Sequence, residues 1–302
     1  MHESVLLKES VDGLNIKPNG IYVDATLGYG GHSTEIHKRI KEGQLIAFDQ
    51  DRDAIDHCKE LFKDAPNVTI VHSNFSRLKE ELESRNITLV DGIIFDLGLS
   101  SPEIDNDARG FSFMKDAILD MRMDQSKDFS ALNVVNEYPI HKLVDVFYQY
   151  GEESFSKSIA KKIIDNRPIN RTLELVEVIK KAIPAFARRQ GGHPAKKVFQ
   201  ALRIEVNDEL RVFEESLADA LMMLNPGGRI VVITFHSLED RICKKTFKDK
   251  VEVKTLRGLP IKESEITKEF KLINNKVIQA SEEELSVNNR AHSAKLRIIE
   301  KL

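Results

Sequence analysis

Three glycines near the start of the chain interrupt an apolar run and mark a turn suited to a ligand. Residues 20–33 combine a short β-branched run, the glycines Gly28, Gly30 and Gly31, and the beginning of a helical pattern. Glycine allows a sharp turn and lets a ligand approach the backbone, which a Cβ would block. A helix predicted over residues 31–39 directs free N–H groups and the positive end of its dipole to the same place. This pattern is typical of a site for a nucleotide-like cofactor.

Acidic residues follow the apolar runs at the places where open α/β sheets bind ligands. Asp24 precedes the glycine turn, Asp49 ends the second run, and Asp96 ends the fourth. A carboxylate at Asp49 is placed to accept both hydroxyls of a ribose, which suits NAD as well as S-adenosylmethionine. Asp24 suits a cationic methionine group, and Ser33 stands where the dinucleotide fingerprint has its third glycine. These two residues favour a methyltransferase, with a nicotinamide-dependent oxidoreductase as the alternative.

These residues lie in a chain whose apolar runs alternate with amphipathic helical segments. The runs are residues 20–24, 44–49, 68–72, 92–96 and 229–235. Such alternation predicts βαβ units and a mainly parallel sheet that is buried on both faces, so the fold class is α/β and Rossmann-like. Residues 251–256 are a candidate sixth strand, and residues 294–300 alternate with period two, as an outer strand would.

A long helical stretch interrupts this pattern. Residues 104–203 contain no comparable apolar run and are predicted to form an inserted, mainly helical domain, while residues 1–103 and 204–302 form the cofactor domain. Apolar residues spaced by three and four predict one long helix over residues 193–224, bridging both domains. Residues 258–290 are polar and are predicted to be a surface loop with some helix.

Charge is distributed unevenly between the two predicted domains. The 302-residue chain has a net charge of −3, yet residues 157–203 hold twelve basic and three acidic residues, a local charge of +9. This distribution favours contact with nucleic-acid phosphates, the alternative being ordinary solvated helix faces. Phe111 and Phe113 are candidate rings for stacking on an extruded base, or for packing the insert. The candidate basic contacts are Arg109, Lys196, Lys197 and Arg203.

Composition excludes several other classes of protein. Cys58 and Cys243 lie far apart and form no Cys/His cluster, so neither a disulfide framework nor a metal site is predicted. No apolar run approaches the roughly 18 residues of a membrane span. The N-terminal residues do not resemble a secretory signal, and we therefore expect a cytoplasmic protein with no membrane partner.

Longer motifs follow one another along the whole chain. They are His2-x-Ser4-Val5-Leu6-Leu7, Thr26-Leu27-Gly28-Tyr29-Gly30-Gly31-His32-Ser33, Phe95-Asp96-Leu97-Gly98-Leu99-Ser100-Ser101-Pro102, Arg109-Gly110-Phe111-Ser112-Phe113, Leu119-Asp120-Met121-Arg122-Met123, His193-Pro194-Ala195, Phe199-Gln200-Ala201-Leu202-Arg203-Ile204-x-Val206-Asn207, Phe235-His236-Ser237-Leu238-Glu239-Asp240-Arg241 and Ser293-Ala294-Lys295-Leu296-Arg297. In this order they resemble the bacterial small-subunit ribosomal RNA cytosine-N4 methyltransferases. Several long motifs in one order make the resemblance far more specific than the glycine turn alone.

The resemblance implies a class I methyltransferase that transfers the methyl group of S-adenosylmethionine to the exocyclic N4 of a decoding-centre cytidine in 16S rRNA. The small ribosomal subunit is the implied partner, and the choice between a monomer and a homodimer stays open. A non-catalytic RNA-binding assembly protein is the other alternative. The resemblance implies cofactor contacts at Gly30, Gly31, His32, Asp49, Phe75, Asp96 and Glu103, to which the turn itself adds Asp24 and Gly28.

Some residues depart from the family pattern. Glu103 stands where the family often has Gln, and a carboxylate accepts but does not donate a hydrogen bond. Asn289 and His292 stand where Pro and Arg are common, which puts an RNA contact by that loop in doubt.

The reaction implied by the resemblance is an in-line displacement at a sulfonium methyl, for which positioning matters more than a strong base. A hydrogen-bond acceptor on the amino group would favour its pyramidalisation and receive its proton. Asp96, Ser100 and Ser101 follow the fourth strand and are the candidate residues of this amino pocket. Three plainer roles compete: Asp24 and Asp49 as turn caps, His32 without a ligand contact, and Ser237 with Asp240 as a capping box.

Overall fold

The computed structural model describes residues 4–99, 106–188, 192–252 and 268–302. The chain divides into two compact units, which are Met1–Gly98 with Leu210–Leu302, and Leu99–Glu209. We call them the sheet unit and the helical unit. The helical unit extends about five residues beyond each of the bounds, 104 and 203, that the sequence pattern suggested.

The sheet unit contains a seven-stranded sheet in the order β3-β2-β1-β4-β5-β7-β6. Strands β1 to β5 are parallel to one another, whereas β7 is antiparallel to both β5 and β6. In chain order the strands are β1 (Ile21–Asp24), β2 (Gln44–Asp49), β3 (Val68–His72), β4 (Val90–Asp96), β5 (Leu224–Thr234), β6 (Phe270–Leu272) and β7 (Lys295–Lys301). The outer position predicted for residues 294–300 is wrong, because β6, from the stretch predicted to be a loop, covers the other edge of β7.

Helices surround the sheet and build the helical unit. In chain order they are α1 (Leu7–Gly13), α2 (Gly31–Arg39), α3 (Arg52–Leu61), α4 (Leu78–Glu83), α5 (Ala131–Glu137), α6 (Ile140–Gln149), α7 (Ser156–Asp165), α8 (Thr172–Ala182), α9 (Ala185–Arg188), α10 (Lys196–Asn207), α11 (Glu209–Met222), α12 (Ser237–Val251) and α13 (Glu282–Val287). Short 3₁₀ turns cover Phe75–Arg77, Asp107–Arg109 and Asn289–Ser293. Among the described residues, no helix is long and apolar enough to cross a membrane.

Both faces of the sheet are buried, which explains why its central strands are continuous apolar runs. Ile93, Phe95 and Val232 belong to the core on one face, while Ile94 and Val231 belong to the core on the other. Successive residues of a strand point to opposite faces, so a strand covered on both sides needs an apolar residue at each position.

The long helix predicted over residues 193–224 is two helices. Asp208 has a left-handed backbone, with φ of 52°, and separates α10 from α11. Apolar positions of α10, such as Leu202, pack in the core of the helical unit, and those of α11, such as Leu217, pack in the sheet unit. Apolar residues recur at helical spacing through both helices, so the sequence pattern does not show that the two helices pack in different cores.

The C-terminal third also differs from its prediction. Val251, the proposed start of a sixth strand, is the last residue of α12, and residues 253–256 lie outside the described part of the chain. The described residues of the polar stretch 258–290 contain both β6 and α13.

Candidate active site

Three aspartates meet at one edge of the sheet. Strand β1 lies between β2 and β4, and Asp24, Asp49 and Asp96 are the last residues of these neighbouring parallel strands. The carboxyl ends of parallel strands share one edge of a sheet, where open α/β folds bind their ligands. The sheet therefore brings together the three acids that the sequence pattern selected.

Asp24 and Asp49 hold the glycine turn in place. Asp24 Oδ1 accepts from the Thr26 N–H at 3.1 Å, and Asp24 Oδ2 accepts from Ser33 Oγ at 2.7 Å. Asp49 Oδ2 accepts from the Gly28 N–H, and Asp49 Oδ1 from the Asp51 N–H, both at 2.8 Å. These bonds give both carboxylates the bracing role that was one of the sequence alternatives. Each carboxylate oxygen still has a lone pair for a second donor.

Burial makes the ionised forms of these acids less favourable. It raises the pKa of Asp24 and that of Asp49 to about 6, although hydrogen bonds to the ionised forms oppose the change. The pKa of Asp96 lies well above its usual value, first because of burial and then because of the negative charges of Asp24 and Glu239. The Asp96 N–H donates to Thr26 Oγ1 at 2.7 Å. Asp96 Oδ1 is buried without a hydrogen-bond partner among the described residues.

A cluster of desolvated acids is suited to a cationic ligand. Without a cation each ionised carboxylate raises the pKa of its neighbours, and a positive charge among them relieves that repulsion. The unpartnered Asp96 oxygen supplies an acceptor for such a ligand. The residues therefore fit a sulfonium compound better than a pyrophosphate, which would add negative charge.

His32 lies beside Asp96 as a neutral imidazole. His32 Nδ1 is 3.5 Å from Asp96 Oδ2, and the residue is 4% exposed. Burial lowers the pKa of His32 to about 4, against the opposite effect of a hydrogen bond to the Val5 backbone. Its Nε2 is buried with no partner in the described part of the chain. The pair is therefore a polar contact at neutral pH and not an ion pair.

Two glycines of the turn lie where contacts within the protein exclude a side chain. The sequence pattern had instead predicted that a ligand approaches them. Gly30 has a φ of 82°, and a Cβ there would lie 2.8 Å from Leu61 Cδ2. A Cβ on Gly31 would overlap Ser4 Oγ. The space beside these residues is filled by the protein's own side chains, so Gly30 and Gly31 serve packing of the turn.

Phe75 stands after β3 on the 3₁₀ turn Phe75–Arg77 and is half-buried. Its ring meets the Phe95 ring edge-on, with centroids 5.7 Å apart. The Asn74 side chain accepts from the Ser76 N–H at 2.8 Å and fixes this turn. A partly exposed aromatic ring can hold a nucleobase, and the cofactor contact at Phe75 stays a prediction.

Glu239 was not among the predicted site residues, although it belongs to the same acidic cluster. It is 3% exposed, and its Oε2 accepts from the Phe235 N–H at 2.8 Å and the His236 N–H at 3.2 Å. The predicted capping box of Ser237 with Asp240 is wrong. His236 is the N-cap residue of α12 and pairs with Glu239, because the helix begins one residue earlier in the pattern.

In the helical unit, three residues that were predicted to contact RNA have partners within the protein. Arg109 is 3% exposed, and its Nη2 donates to the backbone oxygens of Arg122 and Met123, both at 3.0 Å. Phe111 is 9% exposed and belongs to the core of the unit. Arg203 forms a two-pronged ion pair with Glu209 at 2.8 and 2.9 Å. Arg109, Phe111 and Arg203 therefore have structural roles, and their contact with RNA stays a prediction.

The other candidates of the helical unit lie nearer its surface. Phe113 stacks on His193 with ring centroids 4.6 Å apart, and it packs partly against the core. Lys196 and Lys197 are exposed at the start of α10, where Lys197 Nζ donates to the Glu152 backbone oxygen at 2.9 Å.

Three other predicted residues, Ser100, Ser101 and Glu103, lie outside the described residues. Both cysteines are buried and free. Over residues 4–99, 106–188, 192–252 and 268–302, no group of His, Cys, Asp or Glu has the arrangement of a metal site.

The model of the MraW methylase family matches residues 1–302. The chain belongs to this family. A relative from Lactobacillus delbrueckii subsp. bulgaricus is 54% identical over 310 residues, which cover 100% of this chain and 99% of the relative. One from Exiguobacterium sibiricum is 56% identical over 306 residues, covering 100% and 98%. Both relatives carry the name ribosomal RNA small subunit methyltransferase H.

Two solved structures are also similar to this chain. A putative rRNA-methylase from Clostridium thermocellum matches with a TM-score of 0.47 and 14% identity, covering 100% of both chains. An rRNA methylase from Streptococcus thermophilus matches with a TM-score of 0.46 and 13% identity, covering 100% of this chain and 99% of the other.

Family membership confirms three predictions: the resemblance, the Rossmann-like α/β fold and the cofactor, S-adenosyl-L-methionine. The acidic strand ends of this methylase suit the positive charge of that cofactor. The oxidoreductase alternative is thereby set aside.

Proposed function

We propose that this methylase transfers the methyl group of S-adenosylmethionine to the exocyclic N4 of a decoding-centre cytidine in 16S rRNA of the small ribosomal subunit. The assignment of small-subunit ribosomal RNA as the substrate class rests on one observation. The chain is 54–56% identical, over its whole length, to relatives named for that RNA. The choice of N4 and of the decoding centre comes from the motif resemblance.

In this proposal the sheet unit holds the cofactor with residues from three strand ends. Asp49 offers acceptors for the ribose hydroxyls, and the half-buried Phe75 ring offers a surface for adenine. Asp24 and Asp96 stabilise the positive charge, because desolvated carboxylates interact strongly with a cation. When bound, S-adenosylmethionine supplies an electrophilic methyl group on a cationic sulfur.

Asp96 is proposed to act on the amino group that is methylated. Its unpartnered oxygen is an acceptor for an N4 hydrogen, which helps the nitrogen lone pair turn out of conjugation with the ring. Its raised pKa makes the carboxylate a better proton acceptor than an ordinary aspartate. Ser100 and Ser101 follow shortly after in the chain and stay predictions for the same pocket.

The helical unit is proposed to bind the RNA backbone. Lys157 and Lys161 are exposed one turn apart on α7, and Lys181 is exposed in the last turn of α8. Ser158 Oγ donates to the Ala182 backbone oxygen at 2.8 Å, so these two helix ends are neighbours. Lysines grouped in this way can contact consecutive phosphates without reading sequence.

The proposal is tested by methyl transfer to RNA that lacks the modification. Labelled S-adenosylmethionine is incubated with small subunits, and separately with naked 16S rRNA, from cells without this enzyme. The decoding-centre fragment is separated from the rest of the RNA, and each part is digested to nucleosides. The nucleosides are resolved by chromatography against standards, because N4-methylcytidine and 5-methylcytidine have the same mass. We expect label in N4-methylcytidine from a decoding-centre fragment, and the Asp96→Asn variant serves as the control.

Three results would contradict the proposal. Label in 5-methylcytidine would exclude the N4 position, and label in another RNA fragment would exclude the decoding centre. Cofactor binding without label on either substrate would favour the non-catalytic assembly protein.

A further inference from the structure

The N-terminal segment, residues 4–6, lies directly against the glycine turn. Ser4 Oγ occupies the place that a Cβ on Gly31 would take, and the Val5 backbone forms a hydrogen bond with His32. Val5 and Leu6 are both buried. The segment therefore contacts two adjacent residues, Gly31 and His32, for which the motif resemblance implies cofactor contacts.

The N-terminal segment is held by a helix from the other end of the chain. The Leu6 N–H donates to Glu284 Oε1 on α13 at 2.8 Å. Leu6 has a left-handed backbone, with φ of 51° and ψ of 35°, and its side chain lies in the same core as Leu285. A left-handed conformation is unfavourable for leucine, so it depends on contacts such as this bond to persist.

We propose that the N-terminal segment is a wall of the cofactor site and that Glu284 is a positioning residue for it. Glu284 holds Leu6, Leu6 sets the direction of the chain, and Val5 and Ser4 then support His32 and Gly31. A segment that is already ordered spares the ligand the entropic cost of ordering it on binding. The inference depends on the cofactor assignment and is independent of which RNA is methylated.

The first experiment measures the binding of S-adenosylmethionine and S-adenosylhomocysteine by calorimetry, without RNA. Glu284→Ala removes the acceptor, so we expect both dissociation constants to rise about tenfold, the effect of losing one well-placed hydrogen bond. Glu284→Gln keeps an amide oxygen that can accept from Leu6, and it should bind within about twofold of the wild type. Glu283→Ala, an exposed residue of the same helix, is the matched control.

A kinetic readout separates positioning from a general loss of stability. Glu284→Ala should raise the KM for S-adenosylmethionine while leaving kcat unchanged at saturation, and it should increase hydrogen exchange at the Leu6 amide. Binding equal to that of Glu283→Ala would overturn the proposal. So would equal weakening by Glu284→Gln and Glu284→Ala, because the effect would then come from charge.

A second experiment depends on different residues and remains decisive if Glu284→Ala fails to fold. Gly31→Ala places a methyl group against Ser4 and should weaken cofactor binding. The double variant Gly31→Ala with Ser4→Ala removes the overlapping hydroxyl and should recover most of the affinity. If the two changes are additive, Gly31 is required by the ligand and the N-terminal segment is not a wall of the site.

Discussion

The two units of the molecule use their charged residues differently. In the sheet unit, Asp24, Asp49 and Asp96 converge, and Asp96 Oδ1 has no partner among the described residues. In the helical unit, Arg109 and Arg203 are engaged by backbone oxygens and by Glu209. Residue type predicted functional acids in the sheet unit, and those side chains converge. It predicted RNA-binding cations in the helical unit, and Arg109 and Arg203 there have partners within the fold.

Backbone geometry explains the difference. Parallel strands place their last residues at one edge of a sheet whatever the side chains are, so strand-end acids in neighbouring strands must meet. A helical pattern defines only which residues share a face. An arginine in an irregular segment can then donate its hydrogen bonds to nearby backbone carbonyl groups. Neither its residue type nor its position in the sequence reveals such contacts.

The largest effect is expected at Asp96. Asp96→Asn keeps the size of the side chain but removes the charge and the proton acceptor, so methyl transfer should fall about a thousandfold. Affinity for the cationic S-adenosylmethionine should fall more than affinity for neutral S-adenosylhomocysteine. Single-turnover kinetics and calorimetry measure the two effects. Near-normal turnover would remove Asp96 from the catalytic site.

Arg109→Ala tests whether the buried cation of the helical unit is structural. Two backbone oxygens lose their donor, and we expect the free energy of unfolding to fall by about 2 to 4 kcal/mol in urea titration. Lys196→Ala, at an exposed position, should change it by less than about 0.5 kcal/mol. Weaker RNA binding by Arg109→Ala with unchanged stability would restore the original RNA role of this residue.

The pH dependence of stability tests the burial of the strand-end acids. Because folding raises the pKa of Asp24 from 3.8 to about 6, the folded state binds the extra proton between these values. The extra proton contributes fully to the free energy of unfolding below pH 4, and this contribution is lost as pH rises through about 6. Asp24→Asn lacks it, so its stability relative to the wild type should improve by about 2 kcal/mol between pH 4 and pH 7. A constant difference in urea titrations across this range would show that Asp24 is not desolvated.

The smallest effect per residue is expected on the basic surface of the helical unit. Replacing Lys157 and Lys161 by alanine should reduce the salt slope of RNA binding by about 0.7 for each lost phosphate contact, with little change in stability. Lys59→Ala with Lys63→Ala, at the same spacing on the sheet unit, is the matched control. Filter binding over a salt series measures the slopes, and equal slopes for both pairs would show that α7 does not contact RNA.

Much of the sheet unit could be predicted because its signals are local. A strand buried on both faces needs an unbroken apolar run, and glycines that interrupt such a run mark a turn. The bounds of α2 at residues 31 and 39 and the ends of β1, β2 and β4 therefore agree with the pattern. The role of Glu239 was missed because two of its partners, the N–H groups of Phe235 and His236, belong to the backbone, and residue types do not reveal backbone contacts.

The α/β alternation, the placement of three acids at strand ends and, through the ordered motifs, the methylase family can be read from the residues alone. The division of a continuous helical pattern at Asp208, the pairing of β6 with β7 and the burial of Arg109 become visible in the folded chain. It also gave Gly31 a neighbour, Ser4, from another part of the chain. The reason is physical: periodicity records which side chains need burial, whereas packing between distant segments decides which partners they meet.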